Sequence, residues 1–215
     1  MNKKIFLLLL FPIIFLFNSC IEIVEEVTIN ADQSGNVKFY MDLGSLGAMA
    51  MSLGESYTEG NFFDQIKKLP ETAAGILQGV NGLSNITPVT NKKGLYSLSF
   101  DFKNAKELNQ AIYKLFDVKK HFYEPNYIRI TKRKLVKKNY APVLRLFLKK
   151  YVTQIKDTSI LKLVSYRSKF NFPAPVKRFS NKKATLSADK KTLEMNCTIE
   201  ELLTSRTNIG NKVRY

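Results

Sequence analysis

Residues 21–43 read IEIVEEVTINADQSGNVKFYMDL and contain two apolar stretches on either side of a turn. The apolar residues of the first stretch recur at alternate positions: Ile21, Ile23, Val27 and Ile29. This alternation is typical of a strand that buries one face. Residues 32–36 are rich in turn-forming side chains, and residues 37–43 return as a second apolar stretch. We therefore predict a β-hairpin at the start of the folded domain.

The middle of the chain continues with helical and strand-like patterns. Apolar residues at helical spacing predict a helix over residues 62–80, broken or restarted at Pro70. Strands are predicted over residues 86–89 and 95–102. Asn104 and the Glu three residues later form a capping pair that predicts the start of a second amphipathic helix.

The second half of the chain predicts further strands around one helix. A strand pair is expected over residues 121–131, an amphipathic helix after Pro142, a strand over residues 160–172 and a hairpin over residues 184–199. The order of these elements predicts an α+β fold, with an antiparallel sheet built of hairpins and a few helices packed on it.

The chain divides into three predicted parts. Residues 1–19 are expected to be a signal peptide, residues 20–203 a single α+β domain, and residues 204–215 a polar, frayed C-terminal tail. Residues 44–61 are rich in Gly, Ser, Met and Ala, which predicts a flexible insertion within the domain.

The N-terminus has the pattern of an export signal. Lys3 and Lys4 precede an apolar run over residues 5–17, and Ser19 stands immediately before Cys20. The run is shorter than the about 20 residues that span a bilayer. Cys20 resembles the lipobox cysteine of bacterial lipoproteins, which becomes acylated with chains such as palmitate. We predict a lipid anchor on Cys20 and a cell-envelope location, with the outer membrane favoured; the alternative is an ordinary signal peptide with an accidental cysteine.

The chain has a second cysteine, Cys197. If Cys20 is acylated, no intramolecular disulfide is possible. Cys197 lies in residues 193–199, LEMNCTI, where the odd positions are apolar. This alternation predicts that Cys197 lies on the inward face of a strand as a buried thiol.

Positive charge is concentrated in the second half of the chain. The net charge is +16. Residues 20–116 carry 8 basic and 11 acidic side chains, whereas residues 117–215 carry 24 and 7. On an exported protein, such a basic half favours anionic lipid headgroups, acidic glycans or an acidic protein partner. The export signal argues against nucleic acid.

The candidate site for an anionic ligand is the basic run over residues 129–138 and the helix that follows it. The residues concerned are Lys132, Arg133, Lys134, Lys137, Lys138, Arg145 and Lys149. A basic segment beside an amphipathic helix can lie on an anionic surface. The alternative is a solvated face without a ligand.

No motif indicates catalysis. The sequence contains no GxSxG, GxGxxG, GK[ST] or HExxH pattern. The single histidine, His121, has no second histidine with which to bind a metal. We therefore expect no metal, no cofactor and no enzymatic activity, and a hydrolase with an unrecognised site is a third possibility behind the two binding hypotheses below.

Several segments resemble the LppM-like domain of bacterial lipoproteins. They are the hairpin directly after Cys20, the proline-bearing segment FNFPAPV at residues 170–176, and the closing stretches at residues 180–181, 184–189 and 192–195. The resemblance implies an α+β domain without known catalytic apparatus. In the founding type it implies recognition of glycosylated inositol phospholipids. No residue of this chain matches a binding motif of that family.

These observations lead to two hypotheses of function. The first is a non-catalytic envelope lipoprotein that binds an anionic lipid or glycolipid through its basic half. The second is a structural subunit that docks on another envelope protein. An apolar pocket beside the basic face would favour the first, and a flat apolar patch would favour the second.

Overall fold

The computed structural model describes residues 21–44, 62–91, 94–117, 126–152, 161–162, 164–204 and 207–215. Within these ranges the chain forms eleven strands and four helices. In chain order they are β1 (Ile21–Ile29), β2 (Gly35–Asp42), α1 (Phe62–Gln78), β3 (Leu83–Thr90), β4 (Leu95–Phe102), α2 (Ala105–Leu115), β5 (Ile128–Thr131), β6 (Lys134–Lys137), α3 (Ala141–Val152), β7 (Val164–Asn171), β8 (Arg178–Phe179), β9 (Ala184–Leu186), β10 (Thr192–Thr198), α4 (Ile199–Thr204) and β11 (Asn211–Arg214).

Seven strands form a large sheet in the order β3-β4-β2-β1-β7-β10-β9. The predicted hairpin after residue 20 is confirmed, since β1 and β2 pair antiparallel with Ile29 opposite Gly35. Most neighbours in this sheet are antiparallel, which confirms the predicted α+β class. The parallel pair β1–β7 was not predicted; it joins strands about 140 residues apart, and no local pattern signals such a pairing.

Four strands form a small sheet in the order β5-β6-β11-β8. All three neighbouring pairs are antiparallel. Ile128 and Leu135 of this sheet belong to the same hydrophobic core as Val27 and Phe170 of the large sheet. The two sheets therefore bury their apolar faces in one core.

The helices add to this core and are positioned by their own sequences. Helix α2 begins at the predicted cap, because the Asn104 side chain accepts hydrogen bonds from the backbone N–H groups of Lys106 and Glu107. The Glu107 carboxylate in turn accepts from the Lys103 N–H at 2.8 Å. Helix α1 continues through Pro70 rather than restarting there.

The predicted polar tail is wrong for residues 207–215. Strand β11 lies inside the small sheet, between β6 and β8. Ile209, Val213 and Tyr215 are buried, and the Tyr215 hydroxyl donates to the Thr131 carbonyl at 2.8 Å. The segment looks polar in sequence because Asn208, Lys212 and Arg214 face solvent between the buried positions.

Several predictions fall on residues that the structure does not describe. The signal peptide with Cys20 lies outside the described residues, as do residues 45–61 of the predicted insertion and His121. In the part of the chain that is described, no helix is long and apolar enough to cross a membrane. The described residues are built from the two sheets and their helices.

Cys197 is buried, as predicted. Its exposed fraction is 6%, and it lies opposite Tyr166 in the β10–β7 pair. Burial, reinforced by the nearby Glu201 carboxylate, raises the pKa of the thiol to about 11. The thiolate is therefore disfavoured at neutral pH, which fits a structural role.

Candidate functional site

The basic run over residues 129–138 forms a hairpin rather than an extended surface segment. Strands β5 and β6 are joined by a turn at Lys132 and Arg133. Ile130 and Leu135 lie opposite each other and face the core. Strand alternation then places Arg129 and Lys134 on the outer face. The hairpin therefore presents cations outward and apolar side chains inward.

The structure separates the predicted site residues into three groups. Lys132, Arg133, Lys134 and Lys138 are exposed on the hairpin or directly after it. Lys149 is exposed on α3, and Arg145 on the same helix is half-buried. The Arg145 Nε donates to the Leu202 carbonyl at 2.6 Å, so this guanidinium helps to hold α3 against α4. Lys137 forms the third group by itself.

The prediction that Lys137 belongs to the anionic-ligand surface is wrong. Lys137 is only 3% exposed, because the alternation that buries Leu135 also points Lys137 inward. Its Nζ atom lies 2.5 Å from the Glu25 carboxylate and 2.7 Å from the Ser168 hydroxyl. The side chain cannot reach an external ligand.

Glu25 and Lys137 are the centre of a buried polar cluster between the two sheets. The Glu25 carboxylate also accepts hydrogen bonds from the hydroxyls of Tyr127 and Tyr166. The rings of Tyr127, Tyr166 and Phe170 surround the Lys137 ammonium at 5.1 to 5.9 Å. Glu25 and Tyr166 come from the large sheet, whereas Lys137 comes from the small one. The cluster therefore joins the sheets through charge-assisted hydrogen bonds.

The ionisation of the cluster follows from its contacts. Burial acts to raise the pKa of Glu25, but the Lys137 charge and the hydrogen bonds from Lys137, Tyr127 and Tyr166 together lower it. Burial lowers the pKa of Lys137 more than Glu25 raises it. Burial, together with the Glu25 charge, raises the pKa values of Tyr127 and Tyr166 well above the usual range, so both hydroxyls remain donors.

The side chains of the cluster are buried, and the space beside them is small. A cavity of about 20 Å³ adjoins it, lined by Lys137 and Ser168 on one side and by Leu135, Met195 and Val213 on the others. Such a volume accommodates about one water molecule. Among the described residues, no group of His, Cys, Asp or Glu side chains is arranged to hold a metal ion. The arrangement supports a structural role for these ionisable groups.

The outer face of the small sheet gathers cations from three separate segments. Lys134 of β6 lies opposite Arg214 of β11, and Arg214 lies opposite Arg178 of β8. In the neighbouring row, Arg129 and Lys212 flank Val136. With the turn residues, these form the basic surface of the protein: Arg129, Lys132, Arg133, Lys134, Arg178, Lys212 and Arg214. All seven are exposed.

Sequence reasoning missed Arg178, Lys212 and Arg214. Residues 211–214 were taken for part of a tail, and Arg178 follows two prolines in a segment without regular alternation. The sequence did contain a signal for this strand. Ile209, Val213 and Tyr215 all lie at odd-numbered positions of a segment that is otherwise polar, which is the spacing of a strand that buries one face. Only the long-range pairing of β11 with β6 and β8 brings these cations to the predicted hairpin.

No protein-family model matches this chain, and no curated protein matches it. Among solved structures, the chain is similar to the NMR structure of the folded domain of the Mycobacterium tuberculosis LppM protein. The likeness has a TM-score of 0.41 and 11% sequence identity, and it covers 91% of this chain and 90% of that chain. It is a resemblance of the overall fold alone, and no ligand or residue role is transferred from it.

Proposed function

We propose that this chain is a non-catalytic envelope lipoprotein that binds an anionic lipid or glycolipid through the basic surface. In this proposal, acylated Cys20 anchors the protein in a membrane, with the outer membrane favoured. The observation that carries the proposal is the row of three cations, Lys134, Arg214 and Arg178, on neighbouring strands of one exposed sheet face. No described carboxylate forms an ion pair with any residue of the basic surface.

Such a row is unfavourable for the isolated domain. Like charges directly opposite each other on neighbouring strands destabilise a sheet. The outer face of the large sheet shows the opposite pattern, because Glu26 of β1 lies opposite both Lys38 and Lys169. Lys169 and Glu26 form an ion pair at 3.0 Å. The same chain therefore pairs its charges on one sheet and concentrates unpaired cations on the other, which supports an anionic partner for the second.

The strength of this attraction is sufficient for membrane association. Each basic residue near an anionic membrane contributes about 1 kcal/mol. Five residues of the basic surface lie on its strands rather than in the turn: Arg129, Lys134, Arg178, Lys212 and Arg214. Together they would contribute ~5 kcal/mol, which corresponds to a several-thousand-fold change in affinity. A single lipid chain gives only reversible attachment, so a second signal of this size would stabilise the anchored state.

Vesicle binding tests the proposal. The soluble form that begins at Ile21 should bind vesicles containing anionic phosphatidylglycerol better than vesicles of neutral phosphatidylcholine, and salt should weaken the binding. Replacing five residues with glutamine should abolish the preference: Arg129, Lys134, Arg178, Lys212 and Arg214. The matched control replaces five exposed lysines elsewhere on the surface: Lys68, Lys103, Lys106, Lys190 and Lys191.

Both variants lose five positive charges, so only the position of the charges differs. The control should retain most of the preference for anionic vesicles. Equal binding of the wild type to both kinds of vesicle, or equal losses in the two variants, would contradict the proposal. The docking-subunit hypothesis would then be favoured.

A further inference from the structure

We propose that Arg178 and Arg214, together with Lys134, form a binding site for a phosphate group. This inference rests on the function proposed above and specifies its ligand chemistry. The basic surface as a whole would respond to any negative charge, whereas this part of it would distinguish phosphate from carboxylate. The phosphate could belong to a lipid headgroup or be free in solution, and the experiment below separates these sources.

The strand register supplies the geometry of the site. Arg214 lies between Lys134 on β6 and Arg178 on β8, and all three side chains leave the same face of the sheet. The Cβ atoms of directly opposite residues lie about 5 Å apart. The long side chains of the outer two residues can therefore converge on an anion above Arg214.

The backbone that carries these residues is held on both sides. The Lys177 N–H donates to the Arg214 carbonyl at 2.8 Å, and the Asn211 side chain accepts from the Ser180 N–H at 3.0 Å. On the other side, the Tyr215 N–H donates to the Arg133 carbonyl at 3.2 Å. The two strands that carry the arginines are therefore fixed to each other and to the hairpin before any ligand binds, which reduces the entropic cost of binding.

The residue types favour phosphate. A guanidinium is planar and presents paired donors that match two oxygens of one phosphate, whereas an ammonium acts as a point charge. Two neighbouring guanidiniums can engage different oxygens of the same group. No described carboxylate occupies these donors through an ion pair. Two arginines on adjacent strands therefore provide several directed N–H donors for one phosphate, whereas a non-specific attraction to negative charge would need only the positive charges.

Calorimetry on the full chain in a non-ionic detergent tests the site. The ligands are inorganic phosphate, the soluble lipid dihexanoyl phosphatidate and, as an anionic carboxylate control, succinate. We expect at least one of the two phosphate compounds to bind about tenfold more tightly than succinate. The double substitution Arg178→Lys with Arg214→Lys retains the charge and should remove most of that difference. The control Arg167→Lys lies on β7 of the large sheet, where Arg167 pairs with Glu22, and should leave the difference unchanged.

The outcomes separate the site from the function on which it rests. Binding of phosphatidate alone supports a lipid headgroup as the ligand, and similar binding of inorganic phosphate supports phosphate from either source. Equal affinity for phosphate compounds and succinate, or no effect of the Arg178 and Arg214 substitutions, would overturn the site. The single substitutions Arg178→Lys and Arg214→Lys provide a second measurement of the same difference in affinity. Thermal unfolding monitors the fold of every variant. Because the lysine variants keep their charge, they should still bind anionic vesicles better than neutral ones. If the wild type itself showed no preference for anionic vesicles, the proposed function would be contradicted instead of the phosphate site.

Discussion

Replacing Lys137 with methionine is expected to destabilise the fold strongly, although the residue belongs to a lysine-rich run. Lys137 is buried between the sheets and neutralises Glu25. Methionine fills a similar volume but leaves the Glu25 carboxylate buried without a counter-charge. The hydroxyls of Tyr127, Tyr166 and Ser168 would remain as its only hydrogen-bond donors in the cluster.

The size of the effect follows from the burial of both partners. Removing one member of a buried ion pair typically costs about 3–5 kcal/mol. With a urea dependence of ~2 kcal/mol per molar, this corresponds to a shift of roughly 1.5–2.5 M in the unfolding midpoint. Replacing both residues with apolar side chains removes the uncompensated charge. The double variant Glu25→Leu with Lys137→Met should therefore recover most of the stability.

Urea unfolding followed by circular dichroism measures these differences, and its pH dependence identifies the cause. In the wild type the pKa of Glu25 is lowered; its contribution is therefore present above the unfolded-state pKa and is lost as pH falls through the folded-state value. In Lys137→Met, burial without the ammonium should raise the Glu25 pKa. Protonation at low pH then relieves the buried charge, and the difference from the wild type should shrink between pH 7 and pH 4.

The exposed neighbour Lys138 provides the matched control. Lys138→Met should change the free energy of unfolding by no more than about 0.5 kcal/mol. If Lys137→Met were as mild as Lys138→Met at pH 7, the buried pair between the sheets would be refuted. A large effect that did not depend on pH would refute the role of the Glu25 charge.

Three further predictions concern other parts of the chain. Cys197 should resist a thiol reagent in the native protein and react only after unfolding, because it is buried and its pKa is raised to about 11; rapid native labelling would contradict the strand register. Mass spectrometry of the native protein should find an acylated N-terminal Cys20, and an unmodified Cys20 or a different first residue would exclude the lipid anchor. Ile209→Ala should lower the free energy of unfolding by about 2–5 kcal/mol because the side chain is 2% exposed, whereas Lys212→Ala on the outer face should change it by less than about 0.5 kcal/mol; equal effects would support a frayed tail.

The sequence was most informative where structure depends on neighbours along the chain. The first hairpin, the Asn104 cap and the inward position of Cys197 were all predicted, because turn residues, a side-chain cap and strand alternation are local signals. Alternation also placed Glu25 on the same side of β1 as Val27. The sequence alone does not indicate the role of this carboxylate, because its partner Lys137 lies 112 residues away.

The site depended on contacts that no local pattern specifies. Lys137 lies 112 residues after Glu25, and only the docking of the small sheet brings the two together. A lysine within a basic run is ordinarily a surface residue. The composition of the run therefore wrongly indicated that the Lys137 side chain faces solvent. The same long-range pairing brought Arg214 and Arg178 to Lys134. Composition therefore identified the basic half correctly but could not indicate which of its cations share a surface.

The position of β1 has a mechanical consequence. This strand begins at the first described residue, Ile21, and lies between β2 and β7 with eight paired positions on each side. A force applied to Ile21 along the strand axis would have to shear two ladders of backbone hydrogen bonds at once, whereas an edge strand would be peeled away one bond at a time. Ile21 thus lies at a point of the large sheet that resists extraction, and tension applied there would be distributed over the centre of the sheet.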